Sequence, residues 1–123
     1  MVQETILLVD DEPHVLELLS VTLEDEEYRI LQAKDGEEAM KLVEIGQIDL
    51  VMTDLKMPKM DGIELTRAIR RIEPTLPIMV YSAYRFVDTA PVALKAGANE
   101  YITKPFLQTK IKQVVERLLK EEE

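Results

Sequence analysis

Five side chains able to do polar chemistry stand at or just beyond the ends of short apolar runs. Asp10 and Asp11 follow residues 6–9, Asp54 follows residues 50–53, Ser82 closes residues 78–82, and Lys104 follows residues 100–103. Brought together, the three carboxylates would repel one another and raise their own pKa values or destabilise the chain unless a cation balanced them. Oxygen donors with no His or Cys nearby suit a hard ion. Partial protein coordination completed by water and a phosphate is the habit of Mg²⁺, with Mn²⁺ as the alternative. Lys104 adds a positive charge able to hold a phosphate oxygen, and Ser82 offers a hydroxyl donor. A phosphoryl group on Asp54 fits this set, with the carboxylate as nucleophile and the metal and Lys104 neutralising charge as it develops.

These residues can meet only if the runs before them are parallel strands of one sheet, since ligands of open α/β sheets sit beyond the carboxyl ends of the strands. The patterning agrees. Strand candidates at residues 6–9, 29–33, 50–53, 78–82 and 100–103 alternate with amphipathic segments, the order of a doubly wound α/β fold. The first, third and fourth runs are almost continuously apolar and are expected at the sheet centre, covered on both faces.

Helical spacing recurs in Val15, Leu18, Leu19, Thr22 and Leu23, in Ala39, Leu42 and Val43, in Leu65, Ile69 and Ile72, and in Leu107, Ile111, Val114, Val115, Leu118 and Leu119. Each set predicts an inward stripe. Arg67, Arg70 and Arg71 read as a solvated helix face. Pro13 suits a first helical turn and Gly46 a C-terminal cap, while Asp61-Gly62 and residues 74–77 read as turns. The fourth helix is predicted short, over residues 90–96, with Thr89 as N-cap, Pro91 in the first turn and Gly97 as its end. A long loop over residues 83–88 then precedes it.

The 123 residues suit one domain, residues 1–123, and 46% hydrophobic content is enough for a core. A net charge of -9 opposes approach to nucleic acid or to an anionic membrane. With no Cys, thiolate nucleophiles, disulfides and thiolate zinc sites are excluded. The absence of Cys also leaves secretion without support, so the expected location is cytoplasmic, and no apolar run nears the roughly 18 residues that span a bilayer.

The stretches Ile6-Leu7-Leu8-Val9-Asp10-Asp11-Glu12-Pro13, Asp49-Leu50-Val51-Met52-Thr53-Asp54-Leu55-Lys56-Met57-Pro58-Lys59-Met60-Asp61-Gly62 and Ala96-Gly97-Ala98-Asn99-Glu100-Tyr101-Ile102-Thr103-Lys104-Pro105-Phe106 resemble the receiver domain of two-component response regulators. The likeness runs through the whole chain. It implies a flavodoxin-like fold of five parallel strands in order 2-1-3-4-5 with five helices, an order that the periodicity does not supply.

The resemblance also implies roles. Asp54 would accept a phosphoryl group from a phosphohistidine of a sensor histidine kinase or phosphotransfer protein. Asp11, Asp54 and the backbone carbonyl of Lys56 would bind Mg²⁺ directly, and Asp10 through a metal-bound water. Lys104 would meet the phosphate, with its bond to Pro105 often cis. Ser82 would move to the phosphate and Tyr101 turn inward, switching the surface of the fourth helix, fifth strand and fifth helix toward a downstream effector domain or protein. The Lys56 and Tyr84 side chains match positions that tune phosphate lifetime. Such a module works as a monomer or a phosphorylation-dependent dimer, and is a phosphoacceptor, not an enzyme on other substrates. Pro91 departs from the uninterrupted fourth helix common in the family.

Other readings compete. Asp10, Asp11 and Glu12 could merely cap the first helix, and His14 reads as exposed at that helix's start. A small phosphatase or phosphotransferase using an aspartyl phosphate is the alternative function, but haloacid-dehalogenase-like enzymes have Asp-x-Asp after the first strand, which Asp10-Asp11-Glu12 lacks. A flavodoxin-like carrier needs a phosphate loop of small residues where this chain has Asp-Asp-Glu-Pro. A receiver-like fold that only binds partners would not need all five site residues.

Overall fold

A computed structural model describes residues 3–24, 26–83, 89–105 and 107–121. Strand and helix alternate as β1 (Thr5–Val9), α1 (Pro13–Glu24), β2 (Arg29–Ala33), α2 (Gly36–Ile45), β3 (Leu50–Asp54), α3 (Gly62–Ile72), β4 (Ile78–Ser82), α4 (Thr89–Ala96), β5 (Glu100–Thr103) and α5 (Gln108–Glu121). All strand pairs are parallel, in the order β2-β1-β3-β4-β5. β1, β3 and β4 are buried at every position, whereas the edge strands β2 and β5 are partly exposed. Burial on both faces is what the continuous apolar runs required.

Because successive strand side chains point to opposite faces, the sheet carries two cores. Leu8, Met52, Met79, Tyr81 and Ile102 pack with Leu19 of α1 and Val115 of α5. Leu7, Val9, Val51, Ile78 and Val80 pack on the other face, with Val43 of α2, Leu65 and Ile69 of α3, and Ala93 of α4.

Three helix-face expectations need correction. In α1 the buried stripe is Leu16, Leu19, Ser20, Thr22 and Leu23, so Leu19, Thr22 and Leu23 face inward as expected, whereas Leu18 is 51% exposed because it lies across the helix from Leu16. Ile72, the last residue of α3, is also exposed. Leu107 is 74% exposed because it precedes α5, accepting the Ile111 N–H with its carbonyl while its side chain escapes the helical register.

Asp61-Gly62 opens a helix instead of making a free turn. The Asp61 carboxylate accepts the Glu64 N–H at 2.8 Å and the Glu64 side chain accepts the Asp61 N–H at 3.0 Å, a reciprocal capping box. Gly62 has no room for more, since a Cβ there would lie 2.5 Å from the Asp54 carbonyl oxygen.

Whereas Arg67 and Arg71 stay on the exposed face, Arg70 is half-buried and tied down. Its guanidinium donates to the carbonyls of Gly97 (2.9 Å), Glu73 (3.0 Å) and Leu76 (2.6 Å) and to Asn99 Oδ1 (2.9 Å), tying the end of α3 to the α4–β5 turn. α4 begins at Thr89 with Pro91 in its first turn, where no intrahelical hydrogen bond is lost. Gly97 ends it at φ +121. Tyr84, with the rest of residues 84–88, lies outside the described residues.

Candidate functional site

The pleat that divides the cores also assembles the site. Asp10, Asp54, Tyr81 and Lys104 each stand two residues beyond an apolar side chain of the α1/α5 face: Leu8, Met52, Met79 and Ile102. Extended backbone therefore directs all four to that side of the sheet's carboxyl edge. Ser82 and Tyr101 have the opposite parity, and Tyr101 packs half-buried on the face covered by α4.

Ladder hydrogen bonds continue past the strand ends and hold the backbone there. The Asp10 N–H donates to the Ala33 carbonyl at 3.1 Å, Leu55 N–H to Tyr81 at 2.8 Å, and Lys104 N–H to Ser82 at 2.6 Å. The peptide bond from Lys104 to Pro105 is cis.

Asp10, Asp11 and Asp54 each present a carboxylate oxygen, and the three oxygens lie within 4.8 Å of one another. Asp10 is fully buried, Asp54 is 8% exposed, and Asp11 faces solvent. Asp10 Oδ1 accepts the Glu12 N–H at 2.9 Å, and Oδ2 accepts the Tyr81 hydroxyl at 2.9 Å. Lys104 Nζ stands 3.9 Å from Asp10 Oδ2 and 5.1 Å above the Tyr81 ring centre.

Among the described residues, the three carboxylates here have the Lys104 ammonium as their nearby cation, so the notch is short of positive charge. Burial, then the neighbouring Asp10, pushes the Asp54 carboxyl up to about 6. Burial likewise raises Asp10, although the Glu12 amide, the Tyr81 hydroxyl and Lys104 all oppose the shift. Tyr81 is pushed well above its ordinary value by burial and by Asp10, so its phenol stays a donor.

A hard divalent cation fits this donor set. The ligands are all oxygen, two are buried and one is open to water, and the positive charge answers the self-repulsion. His14 lies outside it, exposed and 3.2 Å from Glu12. Lys56 is exposed just past Asp54, and Ser82 is fully buried at the end of β4.

Tyr81 escaped the sequence reading because a phenol inside an apolar run counts as core. The available signals were its two-residue step from Met79 and its register opposite Asp54. Arg70 escaped because its partners are mainly backbone carbonyls, which leave no residue-type signature.

Residues 6–116 match the family model described as the response regulator receiver domain. The chain belongs to the response regulator receiver family. The receiver is 36% identical over 118 residues to the alkaline phosphatase synthesis transcriptional regulatory protein PhoP of Bacillus subtilis (strain 168), covering 96% of this chain and 49% of PhoP. It is 32% identical over 116 residues to the transcriptional regulatory protein GlrR of Escherichia coli (strain K12), covering 94% of this chain and 26% of GlrR. The receiver thus spans about a quarter to a half of these relatives. Among solved structures, response regulator protein TrrA of Thermotoga maritima, in complex with Mg²⁺ and BeF, superposes with TM-score 0.87 at 37% identity, covering 94% of this chain and 99% of that one. A receiver domain protein from Clostridium thermocellum superposes with TM-score 0.91 at 29% identity, covering 97% and 96%. Among the described residues no helix is long and apolar enough to cross a membrane.

Proposed function

We propose that this receiver is a phosphorylation-controlled signalling module in which Asp54 accepts a phosphoryl group from a phosphohistidine of a sensor kinase or phosphotransfer protein. The observation that carries this reading is the meeting of Asp10, Asp11 and Asp54 within reach of one ion, with Lys104 beside them. The Mg²⁺–BeF complex of TrrA supports it by likeness.

In the transfer, an Asp54 carboxylate oxygen forms the bond to phosphorus as the phosphorus–nitrogen bond breaks, and the imidazole leaves with the electron pair. Mg²⁺, or Mn²⁺ in its place, supplies when bound the charge that neutralises the carboxylates and the phosphoryl oxygens. Asp11, Asp54 and the Lys56 carbonyl would hold that ion directly, with Asp10 acting through a water. Lys104 pairs with a phosphoryl oxygen as charge develops on it. The side chains of Lys56 and Tyr84 tune how long the phosphoryl group lasts.

Ser82 and Tyr101 then carry the signal. Moving a two-state equilibrium from 1:99 to 99:1 takes about 5.5 kcal/mol of differential interaction. Charge-assisted contacts from Ser82 and Lys104, at about 1.5 to 3 kcal/mol each, supply much of it. The output is the surface of α4, β5 and α5, read in the cytoplasm by an effector domain or protein or by a second copy of the receiver.

Titration with beryllofluoride and Mg²⁺, followed by amide NMR, tests site and switch together. Shifts spreading from Asp54 through Ser82 to Tyr101 are expected. Shifts confined to the acidic notch would refute the switch, and none at Asp54 would refute the site.

A further inference from the structure

We infer that Tyr81 is a positioning residue of this site: its hydroxyl sets the orientation of the Asp10 carboxylate for cation binding, while its ring face holds the Lys104 ammonium beside it. The inference rests on the phosphoacceptor reading. Tyr81 sits at the centre of the constellation, in register with Asp54 on one side and Ile102 on the other, and is fully buried.

Core packing alone does not ask for a phenol. Met79, two residues earlier on the same face, fills the same layer with no polar atom. A buried hydroxyl is unfavourable unless it is hydrogen-bonded, and this one donates to Asp10 Oδ2 at 2.9 Å, much closer than the Val9 carbonyl at 3.4 Å. Asp10 is thereby held at both oxygens from two elements, by the Glu12 amide at the start of α1 and by Tyr81 from β4, each at 2.9 Å. Without the hydroxyl, Oδ2 would keep the ammonium 3.9 Å away, and the carboxylate would be anchored by the Glu12 amide on Oδ1 but by no hydrogen bond of normal length on Oδ2. The ring contributes separately, since its face lies 5.1 Å from Lys104 Nζ, within reach of a cation–π attraction. One side chain therefore bears on both the metal-binding and the phosphate-binding charge.

Two variants separate these parts. Tyr81→Phe keeps the ring and removes the hydroxyl, and Tyr81→Leu removes both. Mg²⁺ is titrated by amide NMR without any phosphodonor, and acetyl phosphate labelling is then timed across Mg²⁺ concentrations. Tyr81→Phe should weaken Mg²⁺ binding about tenfold, the usual loss when a partner of a metal ligand is removed, yet label at the wild-type rate once Mg²⁺ saturates. Tyr81→Leu should show the same Mg²⁺ loss and a lower saturated rate. A merely structural role would lower the melting temperature and leave the Mg²⁺ constant unmoved. Equal Mg²⁺ affinity of Tyr81→Phe and wild type would overturn the inference without touching the phosphoacceptor reading. Wild type that binds Mg²⁺ but takes no label would refute that reading and leave the Tyr81 comparison standing.

Discussion

Asp54 is the strongly perturbed carboxyl of the notch, pushed up to about 6 by burial and by Asp10. Its folded value lies above the ordinary 3.8, so the folded state prefers the neutral form. Above pH 6 the metal-free fold therefore bears a penalty, which is relieved as pH falls from 6 toward 4. Asp54→Asn should accordingly stabilise the metal-free protein at pH 7 by about 1 to 3 kcal/mol, with the gain vanishing near pH 4. Urea unfolding at the two pH values checks this, and a pH-independent difference would contradict it. At this scale Asp10, Asp11, Asp54 and Lys104 were legible because polar residues directly after apolar runs mark strand ends. Tyr81 was not, since its role depends on a bond to Asp10, 71 residues away in the chain.

Elements are held by groups that periodicity cannot weigh. Arg70 satisfies three carbonyls, and its partner Asn99 also accepts the Ile78 N–H at 2.9 Å, so α3, β4 and the α4–β5 turn share one polar junction. Arg70→Ala should destabilise by about 2 to 4 kcal/mol, and Arg70→Lys should restore only part of that, because a point ammonium cannot match a planar fork. Chemical denaturation measures both, and full rescue by Lys would argue against the fork.

The same experiment tests helix faces. Leu16→Ala should cost about 2 to 5 kcal/mol and Leu18→Ala within about 0.5 kcal/mol of nothing. Strand positions were readable nearly to the residue because short apolar runs with polar ends have little freedom of register. The α1 stripe was not, since Leu16, Leu18 and Leu19 offer two competing helical faces and only the packed sheet chooses between them.

For the molecule as a whole, continuous apolar runs identified the three central strands but not their order, which depends on crossovers that leave no local trace. That order came from the family likeness. The whole fold is also what gathers uncompensated acid at one edge, so divalent binding must feed back on stability. Mg²⁺ at 100 times its dissociation constant should add about 2.7 kcal/mol, seen as a higher melting temperature. Asp11→Ala should lose most of that gain while leaving the metal-free melting temperature nearly unchanged, because Asp11 is exposed.

The proposed signalling role turns on Asp54 accepting a phosphoryl group within this acidic notch. Incubation with acetyl phosphate and Mg²⁺, followed by peptide mass spectrometry, tests it directly. One phosphoryl group is expected on the peptide carrying Asp54, absent when Mg²⁺ is chelated and absent in Asp54→Asn. Undiminished labelling of Asp54→Asn, or labelling indifferent to Mg²⁺, would contradict it.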